Sequence, residues 1–284
     1  MNKAKFGPAG TGDSFKAKGY KTSLQVPAYL SDMGLNWFEY QCGRGVNISE
    51  EKAVQLGEKA KEYGIGVSLH APYYISLASK EDVKRDNSVN YILQSARAVD
   101  YMGGTRIVVH PGGLGGLSRE GATALACETL EKAQKVLDEN GLSHIHICPE
   151  TMGKINQLGT LEEVLTMCGV DERFLPCIDF GHLNARTHGA VNSAEAFVAV
   201  LEMVKNQLGE ERARKFHSHF SKIEYTDGGE KRHLTFEDVV FGPDFSPLGE
   251  IIARQNLTPV VVCESAGTQA EDALFMQQSY LSYT

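Results

Sequence analysis

The chain has 284 residues, 42% of them hydrophobic and 23% charged, an ordinary globular balance that excludes an unfolded chain and a disulfide-stapled miniature. Its 28 basic and 36 acidic residues leave a net charge of −8, a mean field that repels nucleic acid, so any contact with DNA has to be local or carried by bound cations. The longest apolar runs, such as Pro259 to Cys263, are strand-sized rather than membrane-sized, and no apolar stretch follows the basic residues of the start, so the expectation is a cytoplasmic protein without a membrane partner.

In chain order, strands are predicted at Ala4–Ala9, Trp37–Gln41, Gly66–Pro72, Arg106–Gly112, His144–Glu150, Phe174–His182, Lys215–Ser221 and Pro259–Ser265. Most are continuous apolar runs, the pattern of strands buried on both faces. Helical periodicity fills the gaps. Val89, Ile92, Leu93, Ala96, Val99 and Met102 draw one apolar stripe, Ser49-Glu50-Glu51 and Ser118-Arg119-Glu120 open helices, and Gly141 and Gly169 stand where helices should stop. Eight strand-then-helix units without a second composition class predict a single-domain (β/α)₈ TIM barrel over residues 1–284, with an open doubly wound sheet as the alternative. Gly112-Gly113-Leu114-Gly115-Gly116 follows a strand but lacks the dinucleotide-binding spacing, and reads as a loop. Cys42, Cys127, Cys148, Cys168, Cys177 and Cys263 form no Cys-x-x-Cys pair and read as small buried residues.

The polar residues carry the functional signal. Six consecutive strands end an apolar run on His, Asp or Glu: His70, His110, Glu150, the Asp179-to-His182 segment, His217-Ser218-His219, and Glu264. In a barrel these ends converge on one mouth. So many polar groups are costly to desolvate together, and the carboxylates repel one another unless cations lie between them. Imidazole with carboxylate suits Zn²⁺, with Mn²⁺ or Fe²⁺ as alternatives. The ligand set His70, His110, Glu150, Asp179, His182, His217 and Glu264, before His233 is counted, exceeds what one tetrahedral ion needs.

The motifs Leu69-His70-Ala71-Pro72-Tyr73-Tyr74, Val109-His110-Pro111-Gly112, Pro149-Glu150-Thr151, Ile178-Asp179-Phe180-Gly181-His182 and Cys263-Glu264-Ser265 resemble those of endonuclease IV, the barrel-shaped apurinic/apyrimidinic endonucleases of base-excision repair. The resemblance runs from about residue 66 to residue 265. It implies three zinc ions: His70 and His110 on the first, Glu150 bridging to a second completed by Asp179, His217 and Glu264, and His182 with His233 on the third. It also implies hydrolysis of the phosphodiester 5′ to an abasic site in double-stranded DNA by a metal-activated hydroxide, with Glu150 and Glu264 as catalytic carboxylates. Tyr73 and Tyr74 fall where the family inserts side chains into the duplex, and Arg44, Lys222 and Arg232 are candidate DNA contacts. The partner would be damaged DNA, met as a monomer.

Two departures stand out. The third-site triplet of the family, Asp-Arg-His, reads Lys231-Arg232-His233 here, and a charged lysine cannot ligate, so either Glu230 or Asp227 replaces it, Glu230 being favoured, or the third site is weak, empty or filled by a different ion. The loop Cys42-Gly43-Arg44-Gly45-Val46 is shorter than the family's DNA-recognition loop. Two other readings compete. The quartet Glu150, Asp179, His217 and Glu264 suits a sugar isomerase or epimerase resembling xylose isomerase, with one divalent ion, but leaves four histidines unused. A non-catalytic binder of damaged DNA or of metal, with the pocket kept and turnover lost, is the third.

Overall fold

The computed structural model describes residues 3–284. Its strands are β1 (Lys5–Pro8), β2 (Trp37–Gln41), β3 (Gly66–His70), β4 (Arg106–Val109), β5 (His146–Pro149), β6 (Cys177–Asp179), β7 (His217–Phe220), β8 (Ile223–Thr226), β9 (Gly229–His233) and β10 (Val260–Cys263). Two parallel four-stranded arcs, β2-β3-β4-β5 and β1-β10-β7-β6, make the wall. Single parallel bridges, Ala9 to Glu39 and Glu150 to Cys177, join the arcs and close the barrel. The predicted eight-stranded barrel is therefore the fold, and the open sheet is not.

Helices cover the outside. The stripe from Val89 to Met102 lies on the helix Asp82–Tyr101 and its cap, with Val89, Ile92, Ala96, Val99 and Met102 buried. Ser49 and Ser118 cap their helices as expected, each hydroxyl accepting from a backbone N–H three residues on. Because side chains alternate along a strand, each strand feeds two cores. Ile107, Val109 and Ile147 join the large core under the helices, whereas Val108, Cys148, Leu175 and Cys177 pack in a separate cluster. All six cysteines are unpaired and five are buried, as their spacing suggested.

Two differences from the sequence reading matter for the site. The strand placed at Phe174–His182 is only three residues long, because Asp179 caps the helix Phe180–Arg186; its Oδ1 accepts from the His182 N–H at 2.7 Å. His182 thus stands in a first helical turn. The second difference is an antiparallel hairpin, β8–β9, between β7 and β10, where periodicity gave no strand. Within it Glu224 pairs with Arg232 and Tyr225 with Glu230, which leaves Lys231 as the extra residue of a β-bulge.

Closure at the β1–β2 seam needs a residue without a side chain. A Cβ on Gly7 would lie 1.8 Å from the Trp37 carbonyl oxygen, so backbone would have to move. Gly7→Ala is expected to cost about 1–3 kcal/mol of stability, the range of overpacking. An unchanged thermal midpoint would show that the seam is looser than this.

Candidate metal centre

The mouth of the barrel opens into a cleft of about 700 Å³. Glu150 follows β5 at its floor, fully buried. Its Oε2 lies 3.0 Å from His110 Nε2 and 3.4 Å from His70 Nε2, and its Oε1 lies 3.0 Å from His219 Nδ1 and 3.4 Å from His182 Nδ1. Four elements of the barrel therefore meet at this one carboxylate.

The ring nitrogens are oriented by what they do not give to the centre. His70 Nδ1–H donates to the Ala71 carbonyl at 2.8 Å, leaving Nε2 only 3.2 Å from His110 Nε2. His182 Nδ1–H donates to the Thr151 carbonyl at 3.0 Å, so its Nε2 faces Glu230, 3.4 Å away. His233 Nδ1 is held by the Ser221 hydroxyl at 2.8 Å. Asp179 uses one oxygen as a helix cap and leaves Oδ2 buried without a hydrogen-bond donor, as is Glu150 Oε2. Two orphaned carboxylate oxygens facing imidazole nitrogens fit a divalent cation, since such groups are otherwise costly to bury.

Three donor groups form around the cleft: His70, His110 and Glu150; Glu150, Asp179, His219 and Glu264; and His182, Glu230 and His233. Seven of the eight expected ligands, His70, His110, Glu150, Asp179, His182, His233 and Glu264, thus come together. The exception is His217. Residues two apart on a strand share a face, so His217 and His219 both point into the barrel, but His217 lies one layer deeper, with Nε2 3.0 Å from Glu39 Oε2. His219, and not His217, completes the donor group with Glu150, Asp179 and Glu264. The signal was present in the alternation: of two inward histidines, the one nearer the strand's carboxyl end reaches the mouth.

The third group includes Glu230, as favoured, and not Asp227, which sits exposed in the hairpin turn. In a regular strand Glu230 and His233, three residues apart, would face opposite sides. The bulge at Lys231 absorbs one residue and returns both to the same side. Lys231 points away, its Nζ 2.5 Å from Glu224, with Arg232 on the same carboxylate at 2.6 Å. The hairpin is tied to the β5 loop by a bridge between Lys154 and Gly229 and by the Glu230 N–H donating to the Gly153 carbonyl. Position 153 must be glycine, because a Cβ there would lie 2.6 Å from the Glu230 Cβ and 2.8 Å from His182. Arg186 fixes the loop by donating to the carbonyls of Met152, Lys154, Ile155 and Gln157.

Burial alone would raise the Glu150 carboxyl, but the imidazoles of His219, His110 and His182 outweigh it and hold it well below the usual carboxylate range. Burial alone would push His182 down, but Asp179, Glu150 and Glu230 prevail and raise it to about 10. His110 moves the other way, lowered chiefly by desolvation. Imidazolium thus takes part of the place of a cation when none is bound.

The expected DNA contacts divide. Tyr73 lines the cleft, 57% exposed, its ring centroid 5.2 Å from that of His110, and Arg44 lines it nearby. Tyr74 is turned outward, 5.9 Å from the Tyr91 ring. Lys222 is not at the cleft: its Nζ donates to the Asp238 carbonyl and pairs with Asp244, holding the loop after β9. Arg232 is engaged on the outer face of the hairpin, with Glu224. Lys154, Gln41 and Gln269, none of them singled out from the sequence, do line the cleft.

Fold and site together define a (β/α)₈ barrel whose mouth carries carboxylate and imidazole groups of metal-ligand spacing. The chain belongs to the xylose isomerase-like TIM barrel family, whose sequence pattern matches residues 27–279. Among its relatives is the uncharacterised protein MJ0133 of Methanocaldococcus jannaschii, 33% identical over 252 residues, covering 87% of this chain and 88% of that one. A probable endonuclease 4 of Mycoplasma pneumoniae is 28% identical over 203 residues, covering 69% of this chain and 66% of its own length. Solved structures of the same fold include endonuclease IV from Thermus thermophilus (TM-score 0.68, 16% identity, 98% of each chain). They also include a D-tagatose 3-epimerase-like protein (TM-score 0.73, 19% identity, 98% of this chain and 97% of that one). At these identities the structures speak to fold alone. No helix among the described residues is long and apolar enough to cross a membrane.

Two measurements follow from the geometry. Glu230→Gln should lower the number of divalent ions retained per chain by about one, whereas Lys231→Asp should leave it unchanged, because that side chain faces the other way; elemental analysis reads both. Metal binding must also displace the His182 proton at neutral pH, so affinity should tighten about tenfold per pH unit for each proton displaced. In the metal-free chain the raised His182 contributes stability that is fully present below about pH 6.5 and lost as pH rises through about 10. Calorimetric titration at several pH values checks the first, and a pH-independent affinity would contradict it.

Proposed function

We propose that this chain is a zinc-dependent phosphodiesterase that hydrolyses the DNA backbone 5′ to abasic sites, acting in the cytoplasm. The observation that carries the reading is the presence of three donor groups around one cleft. His70 with His110, and His182 with Glu230 and His233, have places that a single-ion site would leave idle. Bound zinc ions would activate water and neutralise charge developing on the phosphate.

The residues supply the rest. Glu150 is shared by two donor groups, and its fixed negative charge would hold two ions close together. Glu264 lines the cleft at the edge of the same group, placed to accept a proton from the attacking water. Water attack on phosphorus breaks the bond to the departing 3′ oxygen and leaves a 3′ hydroxyl and a 5′ phosphate. Arg44 and Lys154 face the cleft as contacts for phosphate oxygens. Tyr73, at the rim, would stack where a base is lost. Three dications would bring six positive charges to a mouth whose overall chain is acidic, which reconciles the net charge with a DNA substrate.

A sugar epimerase reading draws support from the quartet Glu150, Asp179, His219 and Glu264 and from the likeness in fold to the epimerase-like structure. Metal content and substrate separate the two. Two or three zinc ions per chain with nicking of an abasic duplex support the nuclease; one ion per chain with epimerisation of a ketose and no nicking would overturn it. Binding of the abasic duplex without nicking would support a non-catalytic binder.

Glu150→Gln should abolish most turnover and reduce metal content while leaving the circular dichroism spectrum intact. Near-normal turnover with full metal content would rule out the bridging role. Tyr73→Ala should weaken binding to abasic duplex by about 1–3 kcal/mol, roughly 5- to 150-fold in Kd, without changing metal content. Equal affinity of parent and variant in a fluorescence titration would assign the ring to packing at the rim.

A further inference from the structure

Below the donor groups lies a carboxylate that the proposed reaction does not use. Glu39, in the middle of β2, is fully buried and opposite Ser68 of β3. Its Oε2 accepts from the Ser68 hydroxyl at 2.9 Å, and that hydroxyl in turn accepts from the Trp37 indole N–H at 2.9 Å. His217 Nε2 lies 3.0 Å from the same oxygen. The other oxygen, Oε1, lies 2.9 Å from His219 Nε2. The Gln41 amide completes the surroundings, donating to Oε1 at 3.3 Å.

Removing a carboxylate from water costs several kcal/mol, which neutral donors alone repay poorly. Here the charge sits directly beneath His219, whose opposite nitrogen, Nδ1, faces Glu150 at 3.0 Å and Glu264 at 3.6 Å. With no ion bound, both ring nitrogens of His219 face carboxylates, Nδ1 hydrogen-bonded to Glu150 Oε1 at 3.0 Å and Nε2 2.9 Å from Glu39 Oε1. An ion in the group of Glu150, Asp179 and Glu264 would take the place of the Nδ1 proton, which leaves the ring's remaining proton on Nε2, facing Glu39. At His70 and His182 the ring N–H bond runs to a backbone carbonyl, of Ala71 and of Thr151, whereas at His219 the nitrogen turned away from the mouth faces a carboxylate.

We propose that Glu39 is a positioning residue: it holds the proton of His219 on Nε2, turns Nδ1 toward the donor group of Glu150, Asp179 and Glu264, and by its charge strengthens that nitrogen as a metal ligand. His217 and Ser68 hold Glu39 in place from the layer below. The proposal rests on the metal-binding reading given above, but needs no particular substrate.

The first test uses the unaltered chain. With ¹⁵N-labelled histidine and zinc bound, long-range ¹H–¹⁵N spectra should place the proton of His219 on Nε2 and the metal on Nδ1. The reverse assignment would overturn the proposal. In the second test, Glu39→Gln should weaken the affinity for the ion held by His219 by roughly 10- to 100-fold in a chelator competition, the usual effect of losing such an outer carboxylate. The visible spectrum of the Co²⁺-substituted variant should change as well. A folded Glu39→Gln chain with parental affinity and an unchanged cobalt spectrum would refute it. If that variant does not fold, the tautomer measured in the parent decides. All readouts are independent of DNA, so failure of the nuclease reading in the nicking assay would leave this result standing, and the converse holds.

Discussion

Everything at the mouth of this barrel depends on one buried negative charge, that of Glu150. Four imidazoles approach its two oxygens within 3.4 Å, from four different strands or the turns that follow them. A carboxylate in that setting has to be matched by positive charge, which imidazolium supplies and which, in the function proposed above, divalent ions would supply. The same group therefore sets the protonation of its neighbours, the demand for metal, and the geometry in which metal would sit. Asp179 and Glu264 add charge to this centre, but neither touches as many partners.

The barrel itself was legible because most strands are apolar on both faces and the helix between β3 and β4 carries one apolar stripe. Val108 facing inward and Ile107 and Val109 facing outward are all apolar, so the run has no polar interruption until His110. Ligands at strand ends were legible for the same reason: a polar residue closing such a run has no place to go except the mouth. What escaped was whatever depended on phase or on non-local pairing. His217 and His219 face the same way and differ by one layer of the barrel, a distinction of position along the strand and not of residue type. Glu39 sits mid-strand, away from the carboxyl ends where polar residues gather at the mouth. The hairpin β8–β9 was missed because its strands are short, polar and half-exposed, stabilised by the bridge to the β5 loop rather than by a periodic apolar face.

The centre is thus built on two kinds of support. The first two donor groups stand on barrel strands, whose backbones are fixed by hydrogen bonds on both sides. The third stands on a helix turn and a hairpin, joined through the β5 loop that Arg186 gathers with its guanidinium. The donor groups nearest the barrel axis stand on strands, and the outer one on loops that pair with each other.

The bulge at Lys231 has a consequence for how such sites change over time. A strand reads its residues in two alternating channels, and inserting one residue switches every following side chain to the other channel. Here the insertion is swallowed at once: the chain steps aside at position 231 and resumes its phase at Arg232, so His233 keeps its address. The acidic residue that shares its side with His233 therefore stands three positions upstream of it, at Glu230, instead of two. Extra residue and displaced acid together amount to a shift of reading frame followed by its correction, written in backbone geometry instead of codons. A deletion of the bulged residue would return the pair to the two-residue spacing of an uninterrupted strand with both side chains still on the inner channel. Two spacings that look different as text are then the same arrangement in space, connected by a single one-residue step.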